Sequence, residues 1–285
     1  MNRQLFWVAL TVLTGAFQAS AQGLDVVSKT VVFLEHDFVE TYSDERGTFE
    51  IWLKQPNTNQ FSPKMGSTSG SGFLVSRGNT HLYLVTAKHV ATTMGFTDND
   101  KFITGLKDGK TVILPLALLR GANTNSWFHH EKADVSILPL DPVPQVWPFL
   151  QEHFLDISSC LESVTNRPSR DLMITIVGFP LGKGWGRQPD EEFAPLTRKT
   201  RASSGFIEGG TLFLLEDPSV QGYSGAPIFD LAEPVTGASF YLPSGRPVTC
   251  LGIVSSTFSD NTGGKMAGVV PTKCILDLIK KHEAK

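Results

Sequence analysis

Gln221-Gly-Tyr-Ser-Gly-Ala-Pro-Ile-Phe229 sets a serine between two glycines and runs through a proline into an apolar strand. Taken alone, a serine among glycines reads as a loop. Two upstream stretches change its weight. Gly70-Ser-Gly-Phe-Leu-Val75 is followed by Leu84-Val-Thr-Ala-Lys-His-Val90, where a strand delivers His89 at its end behind small residues that permit close packing. Lys132-Ala-Asp-Val-Ser-Ile-Leu-Pro139 places Asp134 at the opening of another apolar strand. Singly, each has an ordinary structural reading: an exposed histidine, a turn aspartate, a loop serine. Histidine, aspartate and serine are together the residue types that nucleophilic acyl transfer can use as base, orienting carboxylate and nucleophile.

The surrounding pattern is that of short strands. Thr30–Leu34, Thr48–Leu53, Gly72–Val75, Leu82–Thr86 and Thr111–Leu114 are rich in β-branched or aromatic residues and mostly bounded by turn formers. The habit returns at Met173–Gly178, Thr211–Leu215, Pro227–Phe229, Val248–Val254 and Ala267–Val270. Asn57–Gly70 is polar and Gly/Ser-rich and reads as an exposed loop. Residues 141–170 are Pro-rich and mixed polar, with a short helix expected near Phe149–Leu155, and read as a linker. From Thr272, Ile275, Leu276, Leu278 and Ile279 fall at helical spacing. The reading is all-β: two packed β-barrels, residues 22–140 with His89 and Asp134 and residues 171–285 with Ser224 and a terminal helix.

The three motifs resemble those of the trypsin/chymotrypsin-like serine peptidases. Val85-Thr-Ala-Lys-His89 is similar to that family's Thr-Ala-Ala-His, Ala133-Asp-Val-Ser-Ile-Leu138 to its Asp-Ile-Ala-Leu, and Gly222-Tyr-Ser-Gly-Ala-Pro227 to its Gly-Asp-Ser-Gly-Gly-Pro. Gly252-Ile-Val-Ser255 resembles the strand lining its substrate cleft, so the likeness runs from about Val31 to the C-terminus. It implies two antiparallel six-stranded barrels, a His89–Asp134–Ser224 triad acting through an acyl-enzyme, and an oxyanion hole made by the N–H groups of Gly222 and Ser224. Glycine at 222 suits a tight loop with an outward N–H. The resemblance also places Ser255 beside Asp134, sets Ser255, Ser256 and Thr257 against the substrate backbone, puts Pro218 at the base of the primary pocket, and makes Thr257 and Gly268 its walls. No acid falls at that base, although Asp217 is one residue away, so a small or apolar residue before the cleaved bond is expected.

Two departures stand out. Tyr223 replaces the aspartate that, in the digestive branch of that family, pairs with a newly released N-terminal amine, so activation by N-terminal insertion is not expected; exported bacterial members share this absence. Ala226 replaces a glycine, which is tolerable only if the backbone there avoids positive φ.

The rest of the chain narrows the setting. Arg3, the apolar run Leu5–Phe17 and Ala19-Ser20-Ala21 read as a signal peptide cleaved after Ala21, leaving a mature start at Gln22 and a protein that is secreted or periplasmic. No later stretch has the length and apolarity of a membrane span. With 41% hydrophobic and 19% charged residues the chain can bury a full core. Its net charge of -3 implies no nucleic-acid partner. The expected partner is a polypeptide substrate, with no cofactor. Cys160, Cys250 and Cys274 have no metal-ligand spacing; one disulfide plus a thiol or three buried thiols both fit, the second being favoured. His129 and His130 would point to opposite faces of a strand and so make a poor zinc pair. An α/β-hydrolase is excluded by the Ser–Asp–His order it requires. The alternative is a catalytically silent protease fold kept as a binding or scaffold module. No segment after Ser224 is long enough for an appended peptide-binding domain.

Overall fold

The computed structural model describes residues 24–56, 58–78, 81–106, 108–120, 126–150, 153–160, 168–184, 191–231 and 248–284. The expected signal peptide lies outside them. Helix α1 (residues 24–30) leads into β1 (Val31–Val39). Two small hairpins follow, β2 (Thr41–Asp44) with β3 (Gly47–Glu50) and β4 (Trp52–Lys54) with β5 (Phe61–Pro63). The chain continues through β6 (Met65–Arg77), β7 (His81–Thr86), α2 (Lys88–Thr93), β8 (Asp100–Gly105), β9 (Thr111–Pro115), β10 (Phe128–His129) and β11 (Ser136–Pro139). Helix α3 (Trp147–Leu150), β12 (Leu155–Asp156) and α4 (Ile157–Cys160) occupy the stretch read as a linker. The second half contains β13 (Met173–Gly178), β14 (Leu196–Arg201), β15 (Phe213–Leu215), β16 (Pro227–Asp230), β17 (Thr249–Ser259), β18 (Lys265–Pro271) and α5 (Thr272–Glu283).

The strands form two main sheets, so the fold is the expected β-rich one with a C-terminal helix. The first runs β10-β11-β7-β6-β1-β8-β9, antiparallel throughout, with β12 added parallel to β6. It therefore holds eight strands rather than six. The second runs β14-β13-β16-β17-β18-β15 and has six. Its edges meet: Ala202, just past β14, bridges Leu215 in β15, with Ser203 N–H donating to Leu214 O and Glu216 N–H to Arg201 O. The sheet thereby curls onto itself, and the exposed edges of an open sheet are removed.

Side-chain alternation explains why these strands read as continuous apolar runs. Val32, Leu34, Leu74, Leu84, Phe102 and Leu138 fill the inside of the first sheet. Their neighbours Val31, Phe33, Phe73, Tyr83, Val85 and Ile137 point the other way. They meet Val177, Phe179, Phe229 and Ile253 from the second sheet, whose own interior is built on Ile174, Ile176, Phe213, Ile228 and Val254. Both faces of the central strands are buried, so the hydrophobic pattern loses its period of two.

The loop expected over Asn57–Gly70 is corrected: β5 and the first half of β6 lie there. Every residue from Met65 to Phe73 is in register with β1, which supplies the backbone partners that Gly and Ser would otherwise find in water. The helix expected near Phe149–Leu155 is shorter and earlier, at α3. Strands β8 and β14 were not legible as runs; β14 (Leu-Thr-Arg-Lys-Thr-Arg) is held by its register with β13. Cys250 and Cys274 are buried, and burial pushes the Cys274 thiol up to about 11. Among the described residues no helix is long and apolar enough to cross a membrane.

Helix α5 packs Ile275, Leu278 and Ile279 into the core between the sheets. Its end reaches the first sheet, where Arg77 pairs with Glu283 at 2.5 Å and Tyr83 donates to the same carboxylate. Ile279 is fully buried, so Ile279→Ala should lower stability by about 2–5 kcal/mol in urea unfolding. Lys281→Ala, which removes an exposed pair with Glu131, should cost no more than about 1 kcal/mol.

Candidate active site

The candidate residues meet at the seam between the sheets. His89 is not at a strand end, as the sequence suggested, but is the second residue of α2, whose N-cap, Ala87, directly follows β7. Ala87 offers that short helix no side-chain cap. The cap comes from a distant loop instead: Asp134 Oδ1 accepts the His89 N–H at 2.9 Å. The other oxygen, Oδ2, lies 2.7 Å from His89 Nδ1 and accepts the Ser255 hydroxyl at 2.6 Å. Burial alone would raise the Asp134 pKa, but the bonds from His89 and Ser255 outweigh it and hold the carboxyl at about 2. An ionised Asp134 can only accept, so the neutral imidazole carries its proton on Nδ1 and leaves Nε2 as a lone pair.

Ser255 occupies a bulge in β17, where the register with β18 shifts between Val254 and Ser256. The extra residue lets its hydroxyl reach the first sheet while its carbonyl faces Ser224. Ser224 Oγ donates to that carbonyl at 3.4 Å; among the described residues it has no hydrogen bond to His89. The Ser224 loop is bracketed by Gly222 at φ +93° and Gly225 at φ +85°. A Cβ would stand 2.2 Å from Phe179 O at the first and 2.1 Å from Ser71 O at the second, so only glycine fits either place. Ala226 is not at positive φ, which answers the condition set by its departure from glycine. Gly225 N–H donates to Val254 O and Ser71 N–H to Ser224 O, while the N–H groups of Gly222 and Ser224 donate to nothing among the described residues. Tyr223 is buried in the second sheet's interior with Ile174, Phe213 and Ile228; burial raises its pKa, and it remains a neutral packing residue.

The pocket candidates also come together. Ser256 is paired with Gly268, and Thr257 Oγ1 donates to Ser219 O at 3.2 Å, joining β17 to the 217–221 segment. Arg198, which sequence reasoning missed, donates to Pro218 O at 3.0 Å and lies 3.4 Å from Asp217. Its place on β14 depends on a strand that was not legible, so no local signal pointed to it.

His130 was also missed. Its Nδ1 accepts the N–H groups of Ala133 at 2.9 Å and Lys132 at 3.2 Å, folding the loop that presents Asp134, while Lys88 holds its carbonyl. His129 turns elsewhere, to Ser136 Oγ at 2.6 Å. Among the described residues no cluster of three metal-ligating side chains occurs.

No family model and no curated protein matches the chain. Solved structures do match. The HtrA-type protease AlgW, solved as a variant with a decapeptide, superimposes with a TM-score of 0.51 at 16% identity over 92% of this chain and 65% of that one. The serine endoprotease from Yersinia pestis gives 0.49 at 13%, with the same coverages. The chain thus spans 65% of the length of each neighbour. At these identities the AlgW likeness establishes the fold.

The His130 geometry has a testable consequence. His130→Ala leaves the Ala133 and Lys132 N–H groups without their acceptor and should lower stability by about 1–3 kcal/mol, and His130→Asn, whose amide oxygen can replace Nδ1, should recover most of it. Burial, followed by the charge of Lys281, lowers the His130 pKa, and only the neutral ring can accept the two N–H groups. This contribution is complete above the unfolded value of about 6.5 and lost as pH falls through the lowered folded value. Wild type should therefore lose thermal stability relative to His130→Asn between pH 7 and pH 5.

Proposed function

We propose that the chain is a serine endopeptidase that cleaves polypeptides through His89, Asp134 and Ser224 and an acyl-enzyme intermediate. The observation that carries this reading is the Asp134 carboxylate, bound at once by His89 Nδ1, His89 N–H and Ser255 Oγ and facing the Ser224 loop. A structural aspartate needs no such alignment of an imidazole.

The steps follow from that geometry. Ser224 turns from the Ser255 carbonyl toward His89 Nε2, which takes its proton as Oγ attacks the scissile carbonyl. Asp134 stabilises the imidazolium that forms. The unspent N–H groups of Gly222 and Ser224 receive the oxyanion. His89 then returns its proton to the leaving amine, and water repeats the sequence to release the acyl group. Ser255, Ser256 and Thr257 extend β17 toward the substrate backbone as an added strand. Pro218 lies at the pocket base and Gly268 in its wall; the Thr257–Ser219 bond narrows the space between the two segments and favours a small residue before the cleaved bond. The peptide held by the AlgW structure is in keeping with a polypeptide substrate. A secreted or periplasmic setting rests on the signal-like residues 1–21.

One observation favours the second reading, a silent binding or scaffold protein: Ser224 Oγ bonds Ser255 O rather than His89. A fluorophosphonate probe separates the two. Labelling at Ser224 that is lost in Ser224→Ala and His89→Ala supports the peptidase; an unlabelled, folded wild type supports the binding protein. Asp134→Asn should reduce the rate by on the order of 10⁴-fold. Because Tyr223 fills the place where an inserted amine would pair, adding several residues before Gln22 should leave peptide hydrolysis within about twofold of the unextended protein. A large loss would show that the N-terminus is inserted after all.

A further inference from the structure

Ser224 has two flanks. On one, β17 receives the acyl side of the substrate in the proposed reading. On the other, Ser71 of β6 donates its N–H to Ser224 O and its hydroxyl to Gly222 O. From Ser71 a row of serines leads outward along one face of β6, with Phe33, Glu35 and Asp37 of β1 standing directly opposite Ser71, Ser69 and Ser67. In that reading, the residues that follow the scissile bond leave across this flank.

A cavity of about 190 Å³ opens there. Phe33 and Leu181 give it apolar walls, Ser69 and Gln221 line its rim, and Glu35 lies within it. Leu181 is held at φ +54°, an unfavourable conformation for a leucine, by its N–H bond to Gln221 O. The charge in the cavity is unbalanced. Lys101 is shared between Glu35 at 3.3 Å and Asp37 at 2.5 Å, one cation for two carboxylates. Glu35 Oε1 accepts no hydrogen bond among the described residues. An apolar wall leading to an unspent carboxylate oxygen suits a long side chain with an aliphatic stem and a cationic head.

We propose that this cavity receives a lysine or arginine from one of the two substrate residues that follow the cleaved bond, with Glu35 as the specificity-determining residue. The proposal rests on the peptidase reading and deepens it.

The test uses two kinds of substrate on the mature protein. A p-nitrophenyl ester of a blocked alanine has no residue to place in the cavity and reports the peptidase reading by itself. Two peptide series then carry Lys, Ala or Glu at the first or the second position after an alanine. The expected result is ester cleavage together with a kcat/KM roughly five- to tenfold higher for Lys than for Glu at one of the positions, weakening as salt is added. Glu35→Gln should bring that ratio close to one, and Lys101→Met, which removes the competing cation, should increase it. Each ratio is read within one variant, so changes in folded fraction cancel. Ester cleavage with no Lys preference in wild type, or a preference that survives Glu35→Gln, overturns the subsite alone. Failure to cleave the ester overturns both it and the peptidase reading.

Discussion

The hydrogen bond from Ser71 N–H to the Ser224 carbonyl, 2.8 Å long, joins the two sheets where their chemistry would meet. Ser71 is buried on β6, and its hydroxyl also accepts Phe179 N–H and donates to Gly222 O. The Ser224 loop is therefore fastened to the half of the chain that carries His89 and Asp134. That close approach leaves no volume for a side chain at Gly225, where a Cβ would stand 2.1 Å from Ser71 O. Glycine at 225 is thus a consequence of packing the loop against the other sheet's strand, whereas glycine at 222 answers the Phe179 carbonyl of its own half.

Energetically the seam is held by apolar contact, and the polar bonds select its alignment. Phe33, Phe73 and Val85 meet Phe179, Phe229 and Ile253 with almost no exposed surface, and α5 seals the junction with Ile275 and Ile279. Burial of this kind is strong but non-directional. Direction comes from Asp134, whose two oxygens bind three donors drawn from α2 and β17. Removing any one donor would leave part of a half-buried carboxylate unsatisfied, so the arrangement is over-determined.

Local pattern was enough for most strands and for the three chemical motifs, because each is written within a few residues. Met173–Gly178 and the start of α5 at Thr272 emerge as read. Where reading failed, the missing information was a partner. Gly and Ser between Met65 and Ser71 look like loop until β1 is laid beside them, and the charged β14 looks like surface coil until β13 is. His89 looked like the end of a strand because the helix that contains it is capped by a residue 45 positions away.

By itself the sequence determined the order His89, Asp134, Ser224, the glycines flanking the serine, and the β-rich character of both halves; these depend on residue type and short-range periodicity. Only the tertiary structure decided what acts on them. It made His130 the organiser of the Asp134 loop, set Arg198 against Pro218, buried Tyr223 as a packing residue, and opened a cavity lined by Glu35 and Gln221. Each of those outcomes is a contact between strands or loops distant in sequence, and side chains far apart along a chain acquire a shared role only when sheet register brings them to the same face.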